Sequence, residues 1–281
     1  MTSGATARPP GHLRVLTYNV LSPEHHDWRR RQEVIRAGIA ELAPDLVALQ
    51  EVVDPDDVLE PGYTAVAHSQ RSADGVGAVL ASRWPVRWWR ELDLRVTERV
   101  TLPWSAVVAA AIEAAPPIGP LLFVHHKPTY EYGFVREREL QAVAAARFVE
   151  DLAFDGHVVV AGDFDDTSAS AAVRFWTGSQ SLDGFGVCYE DAWRAVHGDE
   201  AGLTFFPRNP LVPAGEMPLE RGRRIDYVLV RCGPYGPTLD VAGCDRAFTD
   251  PVDGVWASDH LGVVADLVVP DRAPGPTGPR A

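Results

Sequence analysis

The sequence predicts an α/β or α+β protein that folds as one domain. Strand-like apolar runs alternate along the chain with amphipathic helical segments, and the 281 residues are 46% hydrophobic, which is enough for one large core. The sequence contains no segment with the composition of a linker and no short repeat. A single domain over residues 12–270 is therefore the simplest interpretation.

The N-terminal half is predicted to contain strands around one helix. Residues 13–20 alternate apolar and polar side chains, which is typical of a strand. Residues 28–42 carry apolar side chains at helical spacing, and Pro44 ends the helix. The short apolar run of residues 46–49 predicts a buried strand. Three further strands, which could form a meander, are predicted at residues 76–82, 105–114 and 121–125.

The C-terminal half is predicted to begin with a second helix over residues 134–152, which are rich in alanine and glutamate. Residues 178–218 are dense in glycine, proline and aromatic residues and are predicted to be mostly loop. The predicted strands of this half are residues 158–161, 225–230 and 261–269.

The two ends of the chain, residues 1–11 and 271–281, are polar or rich in proline and glycine, so we expect flexible tails. Neither a secretion signal nor an apolar stretch long enough to cross a bilayer is evident. The three cysteines lack the spacing of a zinc site, and their odd number argues against a disulfide framework. The expectation is a monomeric cytoplasmic protein with reduced thiols.

Carboxylates stand at the ends of several predicted strands. Asp163 and Asp165 directly follow one apolar run, after a glycine that lets the backbone turn sharply. Glu51 closely follows a second run, and Asp259 precedes a third. A single acid in such a place is commonly a turn former or a helix N-cap. Four of them together indicate a metal site, because hard cations prefer carboxylate oxygens.

Six short motifs occur in a distinctive order. They are Thr17-Tyr18-Asn19-Val20, Leu49-Gln50-Glu51-Val52, Val124-His125-His126, Gly162-Asp163-Phe164-Asp165, Ile225-Asp226-Tyr227 and Ser258-Asp259-His260. In this order they resemble the motifs of the endonuclease/exonuclease/phosphatase superfamily, which includes pancreatic-type deoxyribonuclease and sphingomyelinase. The resemblance implies a four-layer sandwich, with two mixed β-sheets packed face to face, helices outside, and an active site at one edge.

The resemblance also implies a phosphoric ester hydrolase that depends on Mg²⁺ or Mn²⁺, in which water attacks phosphorus in line with the leaving oxygen. Glu51 would be the first metal ligand and Asp259 the second. Asn19 would hold the metal or a phosphate oxygen, and Asp163 would orient and deprotonate the attacking water.

Histidine roles follow from the same resemblance. Asp226 and His260 would pair, so that the carboxylate fixes the tautomer of the ring and raises its basicity. His126 would hydrogen-bond the phosphate, and it is preferred to His125 because the resemblance places a histidine directly before the outgoing loop. Adjacent residues of a strand face opposite ways, so at most one of these two reaches the site.

Asp165 departs from the family pattern, which usually has asparagine there. An ionised carboxylate repels phosphate, so we expect Asp165 to hold a metal ion together with Asp163. The alternative is that Asp165 caps a helix starting within residues 167–175. Tyr130, in the loop after the histidine pair, either stacks on a ring of the substrate or packs within the protein.

The substrate class is predicted from charge. The formal net charge is −13 and no basic stripe is evident, which disfavours long polyanions because their binding depends on Lys and Arg. A small or soluble phosphoester, cleaved by a phosphodiesterase or phosphatase activity, is the preferred interpretation. A nuclease acting on DNA or RNA is the alternative. A non-catalytic binding module of the same fold is disfavoured by the intact acids and histidine of the motifs.

Overall fold

The computed structural model describes residues 8–271. Within them lie thirteen strands: β1 (His12–Asn19), β2 (Leu46–Val52), β3 (Thr64–Ala67), β4 (Gly77–Ser82), β5 (Val86–Asp93), β6 (Ala106–Glu113), β7 (Pro120–Lys127), β8 (His157–Asp163), β9 (Tyr189–Asp191), β10 (Asp226–Gly233), β11 (Gly236–Pro237), β12 (Asp240–Ala247) and β13 (Gly262–Val268). The α-helices of this part are α1 (Trp28–Leu42), α2 (Val135–Asp151), α3 (Ala171–Trp176), α4 (Ala192–His197) and α5 (Leu211–Ala214).

The strands form two mixed sheets. The first has six strands in the order β12-β13-β1-β2-β4-β3, and the second has seven, in the order β11-β10-β8-β7-β6-β5 with β9 paired to β10. Each sheet contains a parallel pair, β1 with β2 and β7 with β8, among antiparallel neighbours. This topology confirms the predicted α/β sandwich with two mixed sheets.

The side chains buried on the two faces of each sheet define the layers of the fold. Val15 on β1 and Val159 on β8 belong to one core between the sheets. On the outer face of the first sheet, Ile35 and Ile39 of α1 pack against strand residues such as Leu16. Residues of α2 and α3 cover the outer face of the second sheet. The order is therefore helix, sheet, sheet, helix, as predicted.

The three strands predicted at residues 76–82, 105–114 and 121–125 are present, but they do not form a meander. β4 pairs with β2 and β3 in the first sheet, so it takes no part in a meander with β6 and β7. The strand that completes this meander is β5, which the sequence did not predict. Its side chains are partly buried or exposed and include several charges, because it lies at the edge of the sheet. An edge strand of this kind lacks the apolar run by which buried strands are recognised.

Helix α1 has the predicted bounds, and it ends where Ala43 adopts a left-handed conformation directly before Pro44. Residues 178–218 are mostly loop, as predicted, with the short elements β9, α4 and α5 within them. Most of the two predicted tails lies outside the described residues. Arg8, within the N-terminal one, pairs with Asp45 at 3.0 Å. None of the helices in residues 8–271 is long and apolar enough to cross a membrane.

Candidate active site

One edge of the sandwich collects the ends of strands from both sheets. Asn19 ends β1, Asp163 ends β8, and Asp226 begins β10 opposite Asp163. His260 lies just before β13. These strand ends surround a pocket of about 270 Å³, which Glu51 and Asp259 also line. The structure thus brings together most of the residues that the motifs indicate.

A β-bulge places Glu51 in the pocket. Its neighbours along β2 alternate in the expected way, with Leu49 in the core beneath α1 and Gln50 between the sheets. The pairing with β4 shifts register between Gln50 and Val52, and Glu51 has a positive φ of 61°. Without the extra residue, Glu51 would face the helix layer. The bulge turns its carboxylate toward Asn19 instead.

Asn19 holds several of these groups in place. Its Oδ1 accepts a hydrogen bond from the backbone N–H of Leu21 at 3.0 Å. Its amide nitrogen donates to Glu51 Oε1 at 3.0 Å and to Asp163 Oδ2 at 3.2 Å. The amide therefore turns donors, and not its oxygen, toward the pocket. This orientation does not suit the expected role as a metal ligand, and both N–H groups that could contact a phosphate oxygen are already donated to the two carboxylates.

His260 and Asp226 form a buried pair. His260 Nδ1 lies 3.1 Å from Asp226 Oδ2, and its Nε2 lies 3.5 Å from the Asn19 amide nitrogen. Burial alone would lower the pKa of His260, but the charges of Asp226 and Asp163 raise it to about 10. The imidazole is therefore positively charged at neutral pH in this geometry.

The loop before β13 is fixed by hydrogen bonds to its backbone and to Ser258. Ser258 Oγ donates to the carbonyl of Asn19 at 2.7 Å. The Asn209 amide donates to the carbonyls of Ser258 at 2.7 Å and Asp259 at 3.1 Å. Burial raises the pKa of Asp259; the charge of His260 opposes this rise and that of Glu51 adds to it. Asp259 and Glu51 therefore form an acidic pair that a cation would stabilise.

Asp163 and Asp165 share a basic partner that the sequence reasoning missed. Lys127 Nζ lies 2.9 Å from Asp163 Oδ2 and also hydrogen-bonds Asp165 Oδ2. Burial raises the pKa of Asp165 to about 7, with a further contribution from Asp163 that Lys127 opposes. For Asp163, burial is outweighed chiefly by Lys127, so its pKa is lowered. Asp163 is thus the more acidic of the two carboxyls.

Asp165 does not cap a helix. The nearest helix, α3, begins after Ser170, whose side chain accepts a hydrogen bond from the Val173 N–H at 3.2 Å. The capping alternative for Asp165 is therefore wrong, because Ser170 supplies the cap.

His126 lies on the opposite face of β7 from the pocket. Its ring packs against Phe164 and Trp176, with centroid separations of 4.8 and 5.6 Å, beneath the outer helices. Burial lowers its pKa to about 3. Strand β7 runs two residues beyond the predicted end, so the residue that precedes the loop and lines the pocket is Lys127. The expected contact of His126 with phosphate is not compatible with this placement. The period of two along the strand was the signal that could have identified Lys127.

His125 faces the space between the sheets. Its Nδ1 lies 2.9 Å from His68 Nε2, and its Nε2 lies 2.7 Å from the amide nitrogen of Gln50. His125 and His68 are both fully buried, and burial lowers the pKa of each. This chain of polar groups joins β2 to β7 behind the pocket and does not enter it.

The pocket opens beside Tyr130 and Arg223. Tyr130, the expected substrate-contacting residue, lines both the pocket and a neighbouring groove. The Arg223 guanidinium stacks on Tyr132 at 4.5 Å from the ring centroid and pairs with Glu220 at 2.8 Å. Tyr130 is therefore placed where it can contact a substrate.

Two sets of side chains could hold a metal ion. Asp163, Asp226 and His260 have ligand atoms within 4.8 Å of one another. In that set His260 is already bonded to Asp226 and positively charged, which opposes metal binding. Glu51 and Asp259 are free of a basic partner at bonding distance among the described residues, and their oxygens suit Mg²⁺ or Mn²⁺. The residues therefore fit a divalent ion best at Glu51 and Asp259.

Comparison with known proteins agrees with this picture of the fold. Residues 16–260 match the model of the Endonuclease/Exonuclease/phosphatase family. No curated protein matches the sequence. A humanized Danio rerio (D. rerio) TDP2 with 14 mutations superposes with a TM-score of 0.72 at 18% identity, covering 92% of this chain and 99% of that one.

Two further solved structures resemble the chain. D. rerio TDP2 complexed with single strand DNA product has a TM-score of 0.71 at 18% identity, covering 91% of this chain and 98% of that one. The human Nocturnin catalytic domain with bound sulfate anion has a TM-score of 0.67 at 18% identity, covering 94% and 97%. At these identities the likeness concerns the fold alone.

Proposed function

The chain belongs to the endonuclease/exonuclease/phosphatase family, and on this basis we propose that it hydrolyses phosphate esters with the help of a divalent metal ion. The observation that carries the proposal is the convergence of Asn19, Glu51, Asp163 and the Asp226–His260 pair on one pocket. Buried polar groups are costly to the fold, so their concentration at one sheet edge indicates a functional site.

Glu51 and Asp259 are the residues that would hold the ion. When bound, a divalent ion polarises the phosphate and stabilises the leaving oxygen. Glu51 is fixed for this purpose by two hydrogen bonds, from Asn19 and from the backbone N–H of Ser22, each of 3.0 Å. The bulge that directs Glu51 into the pocket supports the same assignment.

Asp163 is the group that would orient the attacking water and accept its proton. Asp163 is ionised at neutral pH, because Lys127 lowers its pKa, so its carboxylate can accept a hydrogen bond from the water and orient it. His260, charged and aimed by Asp226, would donate a hydrogen bond from Nε2 to a phosphate oxygen. The Asn19 amide would hold the carboxylates of Glu51 and Asp163 in position, because its two N–H groups donate to them.

The charge of the pocket supports a small or soluble phosphoester over a long polyanion. Its cations are Lys127, Arg223 and the charged imidazole of His260. Its carboxylates are those of Glu24, Glu51, Asp74, Asp163, Asp165, Glu216 and Asp259. A polyanion is held by many Lys and Arg contacts, and this lining offers few. A TDP2 structure of similar fold contains a single strand DNA product, so single-stranded DNA is the most informative polyanion to test as a substrate.

The experiment is a rate comparison on the purified protein. A generic phosphodiester, bis(4-nitrophenyl) phosphate, and the monoester 4-nitrophenyl phosphate are compared with single-stranded and duplex DNA at physiological salt, each with Mg²⁺ or Mn²⁺. Faster turnover of a small ester supports the proposal. Efficient DNA cleavage that falls steeply with salt would support the nuclease alternative, and no hydrolysis of any of them would contradict the enzymatic assignment.

A further inference from the structure

Lys127 is the only lysine of the sequence, and the other 25 of the 26 Lys and Arg residues are arginine. Its side chain is 3% exposed and lines the pocket. An ammonium is a compact point charge, whereas a guanidinium is a wide planar fork. The chain therefore has its single lysine ammonium between two carboxylates of the pocket, those of Asp163 and Asp165.

The contacts of Lys127 resemble those of a bridging cation. Its Nζ lies 2.9 Å from Asp163 Oδ2 and also hydrogen-bonds Asp165 Oδ2, while the Trp104 ring centroid is 5.8 Å away. Asp165 is held in a left-handed conformation with φ 54°, and its N–H donates to Asp163 Oδ1 at 3.1 Å. The two carboxylates are thus arranged around one positive charge.

We propose that Lys127 is a built-in second cation of the active site, which occupies the position between Asp163 and Asp165 that a second metal ion would take. The protein then binds a single divalent ion, at Glu51 and Asp259. This replaces the expectation that Asp165 holds a metal. Lys127 acts here as a positioning residue that fixes Asp163 and balances the charge of Asp165. The role of Lys127 in turnover rests on the proposed function, whereas the number of divalent ions bound per chain does not.

The first test is the number of Mn²⁺ ions bound per chain, measured by isothermal titration calorimetry without substrate. The wild-type protein should bind one ion. Lys127→Met removes the charge at similar length and should bind a second ion, because Asp163 and Asp165 lose their cation. Lys127→Met/Asp165→Asn removes one positive and one negative charge together and should bind one. Two ions in the wild type, or an unchanged count in Lys127→Met, would overturn the proposal.

The second test needs no variant, so it holds even if Lys127→Met does not fold. Because there is one lysine, protein labelled with ε-¹⁵N lysine gives a single ammonium signal. A buried, hydrogen-bonded ammonium exchanges its protons slowly with water, so its signal should persist when Mg²⁺ saturates the protein. Loss of the signal into fast exchange with water on adding Mg²⁺ would mean that the metal displaces Lys127, and the proposal would be wrong.

Turnover provides a third readout, which depends on the proposed function. Lys127→Met should lower kcat roughly 100-fold, in the range for loss of one electrostatic donor at a reaction centre, and change KM less. Lys127→Arg keeps the charge and should recover part of kcat. If the wild type shows no hydrolysis but binds one Mn²⁺ with Lys127 protected, the proposed function fails while the inference stands. Wild-type kcat in Lys127→Met would contradict the role of the ammonium.

Discussion

Asp163 and Asp226 lie directly opposite each other on the antiparallel strands β8 and β10. Like charges in such a cross-strand pair repel. Each carboxylate has its own positive partner: Lys127 lies 2.9 Å from Asp163, and His260 lies 3.1 Å from Asp226. One basic group therefore lies against each acid and offsets part of the repulsion between them.

We expect substitution at Glu51 to weaken metal binding. Glu51→Gln keeps the shape of the side chain but removes the charge that a cation needs, so the metal concentration for half-maximal activity should rise at least roughly 10–100-fold. Excess metal should restore part of the rate. The matched control is Glu24→Gln, which changes an exposed acid of the same pocket. Equal metal affinities of Glu51→Gln and the wild type would remove Glu51 from the metal site.

We expect the Asp226–His260 pair to matter for turnover. His260→Ala should lower kcat by roughly two to four orders of magnitude, the range for a group that donates or accepts a proton at the reaction centre. Asp226→Asn should cause a smaller loss, because the ring stays in place with less charge. His126→Phe is the control, since His126 packs away from the pocket, and it should keep nearly full turnover. Wild-type kcat in His260→Ala, with unchanged melting, would contradict the assignment.

We expect Gly162→Ala to destabilise the fold. A Cβ at Gly162 would lie 2.0 Å from the backbone oxygen of His126, and backbone cannot move aside as a flexible side chain can. Overpacking of this kind costs roughly 1–3 kcal/mol or more. Urea denaturation measures the loss, with Gly184→Ala as a control where the Cβ meets open space but φ is strained. A change at Gly162 no larger than that at Gly184 would contradict close packing of β7 and β8 as the cause.

We expect the buried neutral histidines to reduce stability as the pH is lowered from about 6.5, the ordinary histidine value, whereas Asp165, whose pKa is raised to about 7, contributes in the opposite direction. Burial lowers the pKa of His68 to about 3 and that of His125 well below its usual range. Below pH 6.5 the unfolded chain therefore binds protons that the folded protein does not. Each such histidine reduces the free energy of unfolding by about 1.4 kcal/mol per pH unit until its folded pKa is reached. His68→Gln should reduce this slope by about one proton, and an unchanged slope would be inconsistent with a buried neutral His68.

The sequence predicted the sheets, the two long helices and the convergence of acids better than it predicted the direction of individual side chains. Apolar runs identify buried strands such as β8 because both faces of the strand are covered. Strand β5 was not predicted because an edge strand has no such run. Gly162 was expected to permit a turn, but its role is the close approach of β7.

The direction of each site side chain depends on details of the backbone that a short sequence motif does not carry. His126 was preferred to His125 because the resemblance places a histidine directly before the outgoing loop. Strand β7 instead continues to Lys127, and that residue lines the pocket. The bulge at Glu51 could not be predicted, since the residue carries no glycine-like signal for its positive φ. The partner of Asp165 is distant in sequence, so only the fold brings Lys127 to it.

The most direct test of the central claim is hydrolysis of bis(4-nitrophenyl) phosphate, and of its monoester counterpart, by the wild-type protein before and after metal removal. We expect turnover with Mg²⁺ or Mn²⁺, loss of that turnover in excess chelator, and recovery when metal is returned, because the pocket offers the carboxylate oxygens of Glu51 and Asp259 to such an ion. A full rate of hydrolysis in excess chelator would contradict the metal-dependent mechanism.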